Sequence, residues 1–307
     1  MTMVAQPTIA ALTALAAQHP DWRWYAIADS AQDAALPDAI DGPGATVRCL
    51  LGATQGSPLA AQSPHLVQLA SPGQGGVAWQ WIARWLGRPA PLDPSLTVVA
   101  STLSFDALFA QLKQFTEIRL PDDYDMFFGF WDPAILGTLV GQLDDATLHV
   151  KGPVLDAGQR AQLLGGLAGW WYWDRDGQQH AVDVGATPAV RLPAPLLLTQ
   201  NQVDQLVEAG VPDHVLYFVD LNQPRLLRKI PVAAQYGYVK KSLGGARGIG
   251  LISMQDLVNY VCMTLIYGDQ WHEDADIADL MRKVKAEAID FSDAIDMLPK
   301  VKANDRL

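Results

Sequence analysis

The sequence predicts an α/β (α+β) amino-terminal lobe built on a mixed sheet, followed by a mostly α-helical carboxy-terminal lobe. Three observations carry this. Between about residues 20 and 190, short apolar or aromatic runs alternate with helix-patterned stretches and turn-linked pairs. Residues 187–195, TPAVRLPAP, are rich in Pro and small side chains. Beyond them nearly every segment repeats its apolar residues at helical spacing. The expected units are residues 1–193 and 197–307.

The elements follow in order. Residues 8–18 pattern as a short helix ended near His19-Pro20. WYAIAD, Trp24 to Asp29, reads as a buried strand with a polar end, and residues 31–40 as a short helix stopped by Asp41-Gly42-Pro43. Strands are expected at 46–51 and 65–69. GGVAWQWIARWLG then places Trp79, Ile82, Trp85 and Leu86 on one helical face. LTVVAST, from Leu96, is a continuously apolar strand, and Ser104 is placed to cap a helix with Leu108, Leu112 and Phe115 on its buried side.

Residues 117–120 and 124–131 are strand-like and separated by Pro121-Asp122-Asp123, which predicts a hairpin. Asp132 before Pro133 predicts a capped helix containing Ile135, Leu136, Leu139 and Val140. A further helix is expected over 156–167. GWWYWDRDGQQHAVDV reads as two strands joined at Asp176-Gly177. In the second lobe, helical faces recur in LTQNQVDQLVEAG, HVLYFVDL, residues 232–243, SMQDLVNYVCMTLIYG and DADIADLMRKVKAEAI.

Composition narrows the function. The 307 residues hold 33 acidic against 22 basic side chains, a formal net charge of −11. That balance disfavours nucleic acid and anionic membranes and leaves proteins as natural partners. Cys49 and Cys262 show no ligand spacing and read as buried thiols of an intracellular protein. The amino terminus lacks the basic start of a signal peptide, and no 18-residue apolar run occurs. A cytoplasmic protein without stable membrane insertion is expected.

Chemical motifs are sparse. GGARGIG, residues 244–250, lacks the ending of a phosphate loop and follows a helix, so it reads as a helix-ending turn. WHEDAD, residues 271–276, has neither a calcium-loop pattern nor a second His, and Asp274 reads as a helix cap. Six dispersed histidines and the absence of GxSxG predict no catalytic set and no cofactor. A hydrolase using Asp29, His65 and Asp132, each near a strand end, is the enzymatic alternative. Trp170, Trp171 and Trp173 must put rings on both faces of one strand, one face being covered by the second lobe or by a partner. Arg225, Arg228, Lys229, Lys240, Lys241 and Arg247 form a basic cluster able to steer an acidic surface.

The order of YAIAD, PHLVQL and TVVASTLSFDALFAQLKQFTEIRLPDDYDMFFGFWDPAIL, from Trp24 to Val140, resembles the adaptor or chaperone family that loads toxic effectors onto the spike of the bacterial type VI secretion machine. Members carry a strand ending in Tyr or Trp followed by Asp-Pro, after a short acidic turn; here these are Trp131, Asp132, Pro133 and Asp122-Asp123. Many relatives have basic residues where this chain has Gly129 and Ala134. The resemblance implies a non-enzymatic adaptor that grips an N-terminal or transmembrane segment of a type VI effector and delivers it to the VgrG spike protein. Trp131, Asp132, Trp171, Trp173, Arg228, Lys240 and Lys241 are the partner-binding candidates. An immunity-type inhibitor that masks a toxin's active site is a further alternative.

Overall fold

A computed structural model describes residues 5–33, 36, 45–54, 56–70, 76–88, 95–185, 194–268 and 270–299. The expected stop at Asp41-Gly42-Pro43, most of the preceding 31–40 helix and most of the Pro-rich 187–195 stretch lie outside these residues. The chain divides into two compact units, Met1–Ala209 and Gly210–Leu307: a mixed α/β sheet lobe followed by a mostly helical one.

In the first unit, α1 (Ala5–Gln18) leads into β1 (Arg23–Asp29), β2 (Val47–Cys49) and β3 (Pro64–Gln68). Then come α2 (Gln80–Leu86), β4 (Leu96–Ser101) and α3 (Phe105–Lys113). A small hairpin, β5 (Glu117–Arg119) and β6 (Asp125–Phe127), precedes α4 (Pro133–Val140) and α5 (Ala157–Leu164). β7 (Leu167–Trp173), β8 (Gln179–Val182) and β9 (Leu196–Leu197) complete the strands among the described residues.

Six strands form one sheet in the order β2-β3-β1-β4-β7-β8, with every neighbouring pair antiparallel. Among the described strands, the parallel component of the lobe is β5 beside β9, in a second sheet of order β6-β5-β9.

The large sheet is covered on both sides, which explains why its central strands lack polar alternation. On one face Tyr25, Ile27, Leu66, Val99, Trp170 and Tyr172 pack with Leu108 and Leu112 of α3, Leu136 and Leu139 of α4, and Leu163 of α5. On the other, Trp24, Ala26, Val67, Val98 and Trp173 pack with Leu12 of α1 and with Trp81, Ile82 and Trp85 of α2. Thus α1 and α2 of the same lobe cover the second aromatic face of β7. Trp171 stacks on Trp24 at 5.3 Å, and Trp173 meets Trp85 edge-on at 6.2 Å. Each large apolar side chain so buried contributes roughly 1.5–3 kcal/mol.

Caps appear where turn chemistry required them. The Ser104 hydroxyl accepts from the Ala107 amide, and Asp132 accepts from Ala134 ahead of Pro133. Asp156 and Gln159 form a reciprocal capping box. The aromatic stretch departs from expectation, because β6 stops at Phe127. Phe128, Phe130 and Trp131 leave the sheet and turn into the core, where Phe130 meets both Trp131 and Trp170.

The boundary between units falls within α6 (Gln200–Asn222), one helix where two were expected. In the second unit, Val211, Val215 and Val219 keep one side of α6 buried across Pro212, and this packing overrides the local breaker. α7 (Pro224–Leu227), α8 (Val232–Gly248), α9 (Met254–Tyr267), α10 (Ala275–Lys285) and α11 (Phe291–Asp296) follow. Asp274 caps α10 through the amides of Asp276 and Ile277. The GGARGIG turn comes later than expected: α8 runs to Gly248, and Gly250 takes the left-handed conformation at φ +89°. Gly245 stays inside the helix, where an added Cβ would lie 2.6 Å from the Tyr260 hydroxyl.

Gly137, on the buried side of α4, offers a quantitative check. A Cβ there would sit 2.5 Å from the Tyr172 hydroxyl and 2.9 Å from Leu148. Gly137→Ala is expected to destabilise the chain by about 1–3 kcal/mol in urea unfolding. Gly129→Ala, with nothing within 4 Å of the new atom, is expected to change stability by no more than about 0.5 kcal/mol. Equal effects would contradict the packing described.

Candidate functional site

The hairpin joining β7 to β8 builds the most concentrated polar group in the first unit. Tyr172 pairs with His180 across the hairpin, so strand alternation places Tyr172, Asp174 and His180 on one face. The turn is tied by Asp174 itself, whose Oδ1 accepts from the amides of Asp176 and Gln178 at 2.9 and 2.8 Å. Gly177 supplies the required positive φ.

Asp145 joins from the loop after α4. Its Oδ1 accepts from the Thr147 amide and hydroxyl, and its Oδ2 accepts the Tyr172 hydroxyl at 2.9 Å. His180 lies between carboxylates, with Nε2 2.9 Å from Asp174 Oδ2 and Nδ1 3.2 Å from Asp144 Oδ2. Asp145, Asp174 and His180 are all buried, and one donor atom from each lies within 4.8 Å of the others.

Burial alone pushes the His180 imidazole down. The hydrogen bonds to Asp174 and Asp144 and the charges of Asp145 and Asp174 outweigh it, so its pKa is raised above the ordinary value. Burial, with the Asp145 carboxylate beside it, keeps the Tyr172 hydroxyl protonated far above the usual tyrosine range.

This arrangement corrects the expectation that the chain is not an enzyme. That reading rested on the absence of a catalytic-type set, and folding assembles one from Asp145, Asp174 and His180. An imidazolium held between carboxylates can donate and recover a proton. The same three residues offer one nitrogen and two oxygen ligands to a divalent ion, provided His180 gives up the proton it shares with Asp174. Beside them lies a hollow of about 10 Å³, room for a single water or ion, lined by Pro133, Ala134, Asp145, Thr147, Trp173, Asp174 and Arg175.

The residues expected from sequence are distributed differently. Asp29 lies on the sheet face that carries Trp131, whose Nε1 donates to Asp29 Oδ2 at 2.8 Å. His65 pairs with Ala28, one residue earlier, and therefore points to the opposite face. Burial lowers the His65 pKa despite its bond to the Ser63 carbonyl and the nearby Asp29 charge, and its Nδ1 finds no hydrogen-bond partner among the described residues. With Asp132 capping α4, these three residues do not form a triad.

Trp131 and Trp173 are 4% and 3% exposed, and Trp171 is half-buried against Trp24. In the second unit Arg228 and Lys241 are exposed and Lys240 is half-buried. The Asp–Asp–His set escaped sequence reading because Asp145 follows α4 with no spacing that links it to the hairpin. The Asp174–His180 half was visible in principle, since a turn at Asp176-Gly177 puts them on one face.

Fold and site together define an α/β sandwich lobe with a buried acid–imidazole network. Residues 24–149 match the family model described as a domain of unknown function, DUF4123. The match runs from β1 to the loop beyond Asp145, so it contains Asp29, His65, Trp131, Asp132 and Asp145 and ends before Asp174 and His180. No curated protein and no solved structure matches the chain. Among the described residues no helix is long and apolar enough to cross a membrane.

The network has a pH signature. A His whose folded pKa exceeds its unfolded value of about 6.5 contributes stability that is complete below that value and is lost as pH rises through the folded pKa. The gap in melting temperature between the native chain and His180→Gln is therefore expected to be widest near pH 6 and to narrow as the pH is raised into the alkaline range. A gap that widens with pH would contradict the charge assignment.

Proposed function

We propose that this protein is an adaptor of the bacterial type VI secretion machinery, binding an N-terminal or transmembrane segment of a toxic effector and helping to load it onto the VgrG spike. The observation that carries this reading is the DUF4123 domain over residues 24–149, a family linked to type VI effector chaperones. The excess of acidic groups supports a protein partner.

A second reading is favoured by the buried Asp145, Asp174 and His180 beside a water-sized hollow. In it, the Asp145 and Asp174 carboxylates that line the hollow exchange a proton with a water held there, and His180, bonded to Asp174 from behind, holds the charge of the pair. The two readings are compatible, since Asp145 lies inside the stretch matched to the domain while Asp174 and His180 lie on the hairpin beyond it, so the network need not belong to the matched domain alone.

A pull-down of the tagged chain from its own bacterium, with bound proteins identified by mass spectrometry, tests the first reading. The expected result is a VgrG-type spike together with a toxin bearing an apolar segment outside its catalytic domain. A catalytic toxin domain alone would instead indicate an immunity role. For the second reading, the purified chain is expected to turn over a chromogenic ester, phosphate ester or glycoside. In Asp174→Asn and His180→Gln variants that still fold, that rate should fall about 100-fold or more. Absence of turnover across the panel would count against it.

A further inference from the structure

β6 is the outer strand of the small sheet. The Leu120 amide donates to the Tyr124 carbonyl and the Phe128 amide donates to the Thr116 carbonyl. In an antiparallel pair, this register turns the backbone of Tyr124, Met126 and Phe128 toward β5 and that of Asp125 and Phe127 outward. Along the same short stretch Tyr124, Met126 and Phe127 are 64%, 43% and 49% exposed. The Phe127 ring is held edge-on against Trp131 at 5.8 Å, so it is presented by the core and not by a free loop.

The charge around this edge is one-sided. Glu117, Asp122, Asp123 and Asp125 accompany a single cation, Arg119, which is bonded to Asp125 at 2.8 and 3.2 Å. A second copy of this edge would bring like charge against like charge, which disfavours self-pairing. A strand with the opposite charge would pair without that penalty.

We propose that β6 is the docking edge for an extended segment of a partner protein, carrying apolar side chains interleaved with Lys or Arg. The outward amide and carbonyl groups of Asp125 and Phe127 add the segment as a further strand. Tyr124 and Phe127 take its apolar side chains, and Glu117, Asp122 and Asp123 take its cations. The inference rests on the adaptor reading and assigns it a contact surface.

The test uses the full chain and the effector recovered with it, followed by amide hydrogen exchange on the complex. Exchange at Asp125 and Phe127 is expected to slow by about tenfold or more on binding. Phe127→Pro removes an outward amide without touching the ladder to β5, and Glu117→Lys/Asp122→Lys reverses the charge while keeping the ring. Each is expected to weaken effector binding by about tenfold or more; the charge-reversal pair is expected to melt as the native chain does, whereas Phe127→Pro also gives up the ring contact with Trp131 and is expected to melt somewhat lower. A complex that forms with unchanged exchange at both amides, or with both variants binding normally, would overturn the β6 assignment and leave the adaptor reading intact. If the native chain captures neither effector nor spike, the adaptor reading falls and this inference falls with it.

Discussion

A strand buried on both faces needs large apolar side chains pointing each way, and β7 meets this with Trp170 and Tyr172 on one side and Trp171 and Trp173 on the other. The first unit depends on that constraint. Helices α3, α4 and α5 cover one face and α1 and α2 the other, so β1, β4 and β7 form the middle of a three-layer sandwich. The aromatic excess of the sequence is therefore spent largely inside the lobe. The exposed apolar side chains of β6 stand out against this background.

Two polar links fix how the layers meet. Trp131 Nε1 donates to Asp29 at the end of β1, and so anchors the turn that precedes α4. The Tyr172 hydroxyl and His180 tie β7 and β8 to the Asp144-Asp145 loop that follows α4. Both links are buried in part or whole, where an unpaired polar group costs more than a paired one contributes. Loss of either side therefore leaves a stranded carboxylate, which makes the geometry specific to one arrangement of α4. The same property makes the Asp–Asp–His set suitable for holding a proton.

The sequence made the strand–helix order legible because turn and cap chemistry sits at the boundaries: Ser104, Asp132-Pro133 and Asp176-Gly177 all act as expected. Less visible were features set by tertiary packing. Continuous apolarity in FFGFW suggested a longer strand, whereas Phe130 and Trp131 are buried by turning off the sheet into the core. α6 continues through Pro212 because its valines are packed in the second unit. Asp29 and His65 looked equivalent as strand-end residues, yet a one-residue offset in register puts them on opposite faces. Asp145 could not be joined to Asp174 and His180 from sequence, because only the fold brings the loop after α4 to the hairpin.

Amide hydrogen exchange of the free chain, resolved to single residues, tests the central claim most directly. If β1, β4 and β7 are covered on both faces, their amides should exchange only through the largest opening of the lobe and be its slowest, while Asp125 and Phe127 exchange fast. Exchange in β7 as rapid as in β6 would show that one face of the large sheet is open, and would contradict the architecture on which the site and the proposed docking edge both rest.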